Sequence, residues 1–124
     1  MSSLPEVGCH VFRSRVSECV YNALASDFIL EGKPVENLSV EEKQDGDKFV
    51  VNYHERLEEG QRTVLVLNNV SPYKIKMTFE NGPEVGIYGW PGDMTVLRYN
   101  NRKIGIKNSD VAGLTYAISH AFLA

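Results

Sequence analysis

The stretch YKIKMTFENG, residues 73–82, decides the fold class. Tyr73, Ile75, Met77 and Phe79 alternate with Lys74, Lys76, Thr78 and Glu80. That period of two puts an apolar row on one face of a strand and a wet row on the other. Asn81-Gly82 follows at once, the strongest short signal for a tight hairpin. A one-sided strand that turns straight back is the unit of an antiparallel sheet.

The pattern extends outward from there. Upstream, Leu38 and Val40 form a short alternating stretch, and Asp45-Gly46-Asp47 reads as a turn. Phe49, Val51, Tyr53 and Leu57 then alternate with Val50, Asn52, His54 and Arg56, and Glu58-Glu59-Gly60-Gln61 closes a hairpin. Thr63 to Val70 is apolar on both faces, which predicts a central strand covered on both sides. Downstream, Val85 and Ile87 begin the next strand, and the segment from Gly86 to Asp93 reads as a glycine- and proline-framed loop. Met94–Tyr99 and Lys103–Lys107 flank a tight turn at Asn100-Asn101-Arg102, where both asparagines tolerate positive φ.

Both flanks switch to a helical period. Phe12, Val16, Cys19, Val20, Ala23 and Leu24 fall on one stripe of period 3.6. Ser3-Leu4-Pro5-Glu6 fits a capping box, and Glu31-Gly32-Lys33-Pro34 is a breaker. At the other end Val111, Leu114, Ile118, Ala121 and Phe122 form a second stripe, capped by Asn108, Ser109 or Asp110. The expectation is therefore an α+β single domain over residues 1–124. It consists of an N-terminal helix, an antiparallel β-meander of about six or seven strands and a C-terminal helix, with the helices packed on one sheet face. Phe12, Val16, Val20 and Leu24 are expected to pack on Phe49, Val51, Leu65, Ile75, Met77 and Phe79, with Ile118 and Phe122 beside them. The strand Tyr73–Glu80 and the hairpin 94–107 are expected to leave a sheet edge.

Composition narrows the function classes. The chain has 124 residues, 43% hydrophobic and 23% charged, which are the proportions of a folded domain rather than of a disordered one. No apolar run reaches the ~18 residues of a membrane span, and no secretory signal is visible, so the expected location is the cytoplasm of a bacterium or of a host cell. Cys9 and Cys19 lie ten residues apart, about 15 Å along one helix, too far for a disulfide. Residues 1–61 carry 12 acidic and 6 basic side chains, whereas residues 62–124 carry 4 and 7, so the halves differ in sign. Such asymmetry suits head-to-tail self-association or an anionic partner for the second half.

Catalytic chemistry finds little purchase. Neighbours on a helix point about 100° apart, so Cys9 and His10 do not pair, and Cys19 sits on the apolar stripe. No close Cys or His pair with metal-ligand spacing is present, and the acidic pairs lie in or beside turns where water solvates them. No phosphate-binding loop or nucleophile elbow appears. No catalytic residue, metal site or cofactor is assigned, and the enzyme question leans to no. Two features suit binding instead. Tyr88 and Trp90 lie between glycines and a proline, the composition of an aromatic anchor, unless Trp90 folds back and closes the end of the core. Lys74, Lys76, Arg98, Arg102, Lys103 and Lys107, with Tyr88, Trp90 and Tyr99 nearby, make a basic and aromatic set on the C-terminal strands. The first reading is a small non-enzymatic binding or interaction protein, homo-oligomeric, of the accessory kind found in phages, viruses and mobile elements. Its partners would be a second copy and another protein. The alternative is a protein that binds single-stranded nucleic acid or a nucleotide on the basic sheet face.

Overall fold

A computed structural model of the protein describes residues 9–26, 35–46, 48–80, 84–90 and 93–123, and at residues 9, 10, 90, 122 and 123 the backbone only. Helix α1 spans Cys9–Leu24 and helix α2 spans Val111–Leu123. Between them run β1 (Leu38–Asp45), β2 (Lys48–Leu57), β3 (Gly60–Ser71), β4 (Lys74–Phe79), β5 (Glu84–Trp90), β6 (Met94–Tyr99) and β7 (Arg102–Lys107). The strands form one seven-stranded sheet in chain order, each antiparallel to the next. This is the expected α+β meander.

Alternation decides which face is covered. Phe49, Val51 and Tyr53 on β2, Leu65 and Leu67 on β3, Ile75, Met77 and Phe79 on β4, Val85 and Ile87 on β5, and Leu97 and Tyr99 on β6 are all buried. The stripes of both helices lie against this face: Phe12, Val16, Cys19, Val20, Ala23 and Leu24 from α1, and Leu114, Ala117, Ile118 and Ala121 from α2, all in one core. Every residue of the expected core that falls among the described side chains is in it; the Phe122 side chain and the proposed capping box at residues 3–6 lie outside them. Tyr53 anchors α1 to the sheet, its hydroxyl donating to the Ser17 carbonyl at 3.1 Å and lying 2.8 Å from the Ser17 hydroxyl. Burial holds that phenol well above the ordinary tyrosine range.

Local chemistry sets the turns. Asn100 and Asn101 have φ of 49° and 62°, the left-handed pair that a two-residue hairpin requires, so Arg102 belongs to β7 rather than to the turn. Asp110 caps α2, its Oδ1 accepting a 2.8 Å hydrogen bond from the Gly113 N–H. Asp110→Ala is expected to lower the unfolding free energy by about 1 kcal/mol, read as a shift of the urea midpoint. An unchanged midpoint would show that the cap contributes nothing.

Three further expectations are corrected. The segment from Gly86 to Trp90 is not a loop: it is the body of β5, paired with both β4 and β6. β3 is not covered on both faces. Val64 is buried beside Leu65 because the register with β2 shifts between Tyr53 and His54, and such an irregularity turns an extra residue inward. Val66, on the other face, is only half-buried, and Val70 is exposed. Finally, β4 is an interior strand; the sheet edges are β1 and β7. The Asn81-Gly82 turn lies outside the described residues. No helix among them is long and apolar enough to cross a membrane.

Candidate ligand-binding face

The sheet face opposite the helices is built from the wet rows of β4 to β7. Backbone register puts Lys76, Gly86, Arg98 and Lys103 in one line across the four strands, and Lys74, Tyr88, Val96 and Gly105 in the next. The two-residue turn at Asn100-Asn101 is what sets Arg98 directly opposite Lys103. Tyr88, Met94, Val96, Arg98 and Lys103 line a hollow of about 430 Å³ there, within the size range of small-ligand sites. Its floor is apolar and two of its walls are cationic.

Two glycines shape the floor. A Cβ on Gly86 would stand 2.8 Å from the Tyr88 ring, and one on Gly105 would stand 2.7 Å from the Met94 methyl. The ring and the thioether therefore lie flat over positions that no larger residue leaves open. The Lys74 ammonium sits 5.2 Å from the centre of the Tyr88 ring, a cation–π contact that holds the ring in place.

The cations on this face are not equivalent. Lys76 pairs with Glu84 at 3.6 Å. Arg98 and Lys103 are both exposed and have no ion-pair partner among the described residues. Like charges directly opposite on neighbouring strands repel. A second hollow, of about 490 Å³ between β3 and β4, contains Arg62, but that guanidinium lies between Glu55 at 3.4 Å and Glu80 at 3.5 Å. Its charge is already answered, so that hollow offers little to an anion.

The structure thus brings together Lys74, Lys76, Tyr88, Arg98 and Lys103 of the expected binding set. It does not bring in Tyr99 and Arg102. Tyr99 is buried on the helix-covered face and pairs with Arg102 one register step past Arg98, so Arg98 and Arg102 alternate to opposite sides and do not form one anion clamp. Trp90 pairs through its backbone with Met94, and its side chain lies outside the described residues. Sequence reasoning missed Met94, Val96, Gly86 and Gly105. A two-residue hairpin at residues 100–101 fixes every cross-strand partner on β6 and β7, so counting back from that turn finds Val96 opposite Gly105.

Cys19 is buried, and burial pushes its thiol upward, away from the thiolate a nucleophile needs. Its Sγ approaches the Val111 carbonyl at 3.9 Å. His54 lies on the opposite side of the sheet from Cys19, with Nδ1 3.1 Å from the Thr63 hydroxyl and Nε2 3.7 Å from a Glu41 carboxylate oxygen. His120 packs edge-on against Tyr116, ring centres 4.3 Å apart. No cluster of three or more metal-ligating side chains occurs among the described residues.

Fold and face together define a class: an antiparallel meander with helices on one side and an open, cationic, partly aromatic sheet face on the other. No protein-family model, curated protein or solved structure matches this chain.

Proposed function

We propose that this is a small non-enzymatic binding protein whose open sheet face takes an anionic ligand carrying a planar group. The ligand class is single-stranded nucleic acid or a free nucleotide. One observation carries the reading: Arg98 and Lys103 stand directly opposite one another, with no carboxylate partner among the described residues, at the rim of a hollow floored by Tyr88, Met94 and Val96. A phosphate between the two cations turns their repulsion into two charge-assisted contacts. The apolar floor and the Tyr88 ring suit a base, since stacking tolerates any base and basic grooves follow the backbone.

Arg98→Gln and Tyr88→Ala test this by fluorescence anisotropy with a labelled single-stranded oligonucleotide at two salt concentrations, and by calorimetry with a mononucleotide. Each variant is expected to weaken binding about tenfold or more, equivalent to about 1.4 kcal/mol. Arg98→Gln should also flatten the salt dependence by roughly one phosphate contact. The same substitution relieves a like-charge pair, so its melting temperature should equal or exceed that of the native protein. Binding of both probes unaffected by either variant would overturn the reading. Salt-insensitive binding of a protein partner, lost in Tyr88→Ala, would replace it with the protein-interaction reading.

A further inference from the structure

The sheet has two free edges, and they carry opposite charge. β1 presents Glu41, Glu42 and Asp45 against Lys43, all exposed, a formal charge of −2. β7 presents Arg102, Lys103 and Lys107, all exposed, with no acid on the strand, a formal charge of +3. No strand among the described residues pairs with the outer side of either. The apolar content matches too. On the helix side Val40 of β1 is 43% exposed, and Ile104 and Ile106 of β7 are half-buried in a seam of about 680 Å³ between β7 and α2.

We infer that a second copy of this chain docks edge to edge, the β7 edge of one copy receiving the β1 edge of the next, in head-to-tail self-assembly. Symmetric alternatives are disfavoured by the same charges. A β7–β7 contact sets +3 against +3, a β1–β1 contact sets −2 against −2, and charged edges of this kind are how sheets avoid pairing with their own likeness. The heterologous contact sets −2 against +3. β1 and β7 are both odd strands of a meander and run in the same direction. Continuation with the helices on one side therefore pairs them parallel and brings Leu38 and Val40 alongside Ile104 and Ile106. Such a contact is not self-complementary, so it closes into a ring or extends as a filament.

Two edge variants and their mixture test the inference by light scattering and sedimentation. Arg102→Glu/Lys107→Glu makes both edges acidic; Glu42→Lys/Gln44→Lys makes both basic. Lys107 lies on the ligand-binding face opposite Met94, but neither variant alters Tyr88, Met94, Val96, Arg98 or Lys103, which line the hollow, so failure here is separable from failure of the ligand reading. Each variant alone is expected to be monomeric, and an equimolar mixture is expected to recover the assembly, because each edge again meets its opposite. Retention of the native assembly by the Glu42→Lys/Gln44→Lys variant alone would indicate a β7–β7 contact and overturn the inference. A mixture that stays monomeric would also overturn it. Circular dichroism confirms that each variant is folded. The unmodified chain provides an independent measurement: its assembly at high micromolar concentration should weaken at least tenfold between 50 and 500 mM salt, as expected of exposed charge pairs. A monomer at low salt, or an assembly indifferent to salt, would overturn the inference.

Discussion

Phe12→Ala is expected to lower the unfolding free energy by about 3–5 kcal/mol. Phe12 is fully buried near the start of α1. Its ring packs against Tyr73, centroids 6.0 Å apart, and approaches β5 so closely that a Cβ on Gly89 would lie 3.1 Å from it. The helix reaches the sheet at this point because position 89 has no side chain. Truncation leaves a ring-sized void between a helix and a strand, neither of which closes over it without moving the other. The check is a urea titration at unchanged m value. A loss below about 1 kcal/mol would mean that α1 does not seat on β5.

Asn108→Leu is the second large effect, expected at about 2–3 kcal/mol. Thr95 is fully buried on β6, and its hydroxyl donates to the Asn108 Oδ1 at 2.7 Å. The same oxygen accepts from the Arg15 Nη2 at 3.0 Å, and that nitrogen also reaches the Thr95 hydroxyl at 3.2 Å. Burial lowers the Arg15 pKa, while Asp93 acts in the opposite direction, and the Arg15 Nε already has no hydrogen-bond partner among the described residues. Leucine removes the one acceptor that both donors share, and stranding buried donors costs more than the hydrogen bonds themselves contribute. An Arg15→Met/Asn108→Leu double variant should recover part of the loss, since the stranded cation is gone. Strictly additive losses would show that the three side chains do not act as one network.

The fold was legible in the sequence because its signals are local and redundant. The row Tyr73, Ile75, Met77, Phe79 has only one way to bury itself, and Asn100-Asn101 has only one comfortable turn. The misreading of β5 has a physical cause. Gly86 and Gly89 look like breakers in isolation, but each is small because something lies over it: the Tyr88 ring over Gly86, and Phe12 and Tyr73 against Gly89. The first contact is two residues along the same strand, but those at Gly89 come from Tyr73 just before β4 and from a helix some 77 positions earlier, beyond any local pattern. The binding set was partly legible. Lys74, Lys76 and Tyr88 follow from alternation, whereas placing Arg98 with Lys103 and excluding Arg102 requires the hairpin register, because one step along a strand exchanges faces. The asymmetry of charge between halves was visible from composition, but not that it ends on the two opposite edges of one sheet.

The meander bears on how the chain reaches its structure. Strand order equals chain order, so every rung of the sheet joins neighbours, and each hairpin closes a short loop at small entropic expense. The helices differ. Cys19 meets Val111 across 92 positions, and Arg15 meets Asn108 across 93. Those contacts become rewarding only once the intervening sheet has drawn the two ends together, the usual penalty of non-local closure on speed. Hairpins first and helix docking last is the order this topology favours. In the interval between them, the row from Phe49 to Leu97 stands bare, and that is when one nascent chain is most apt to adhere to another.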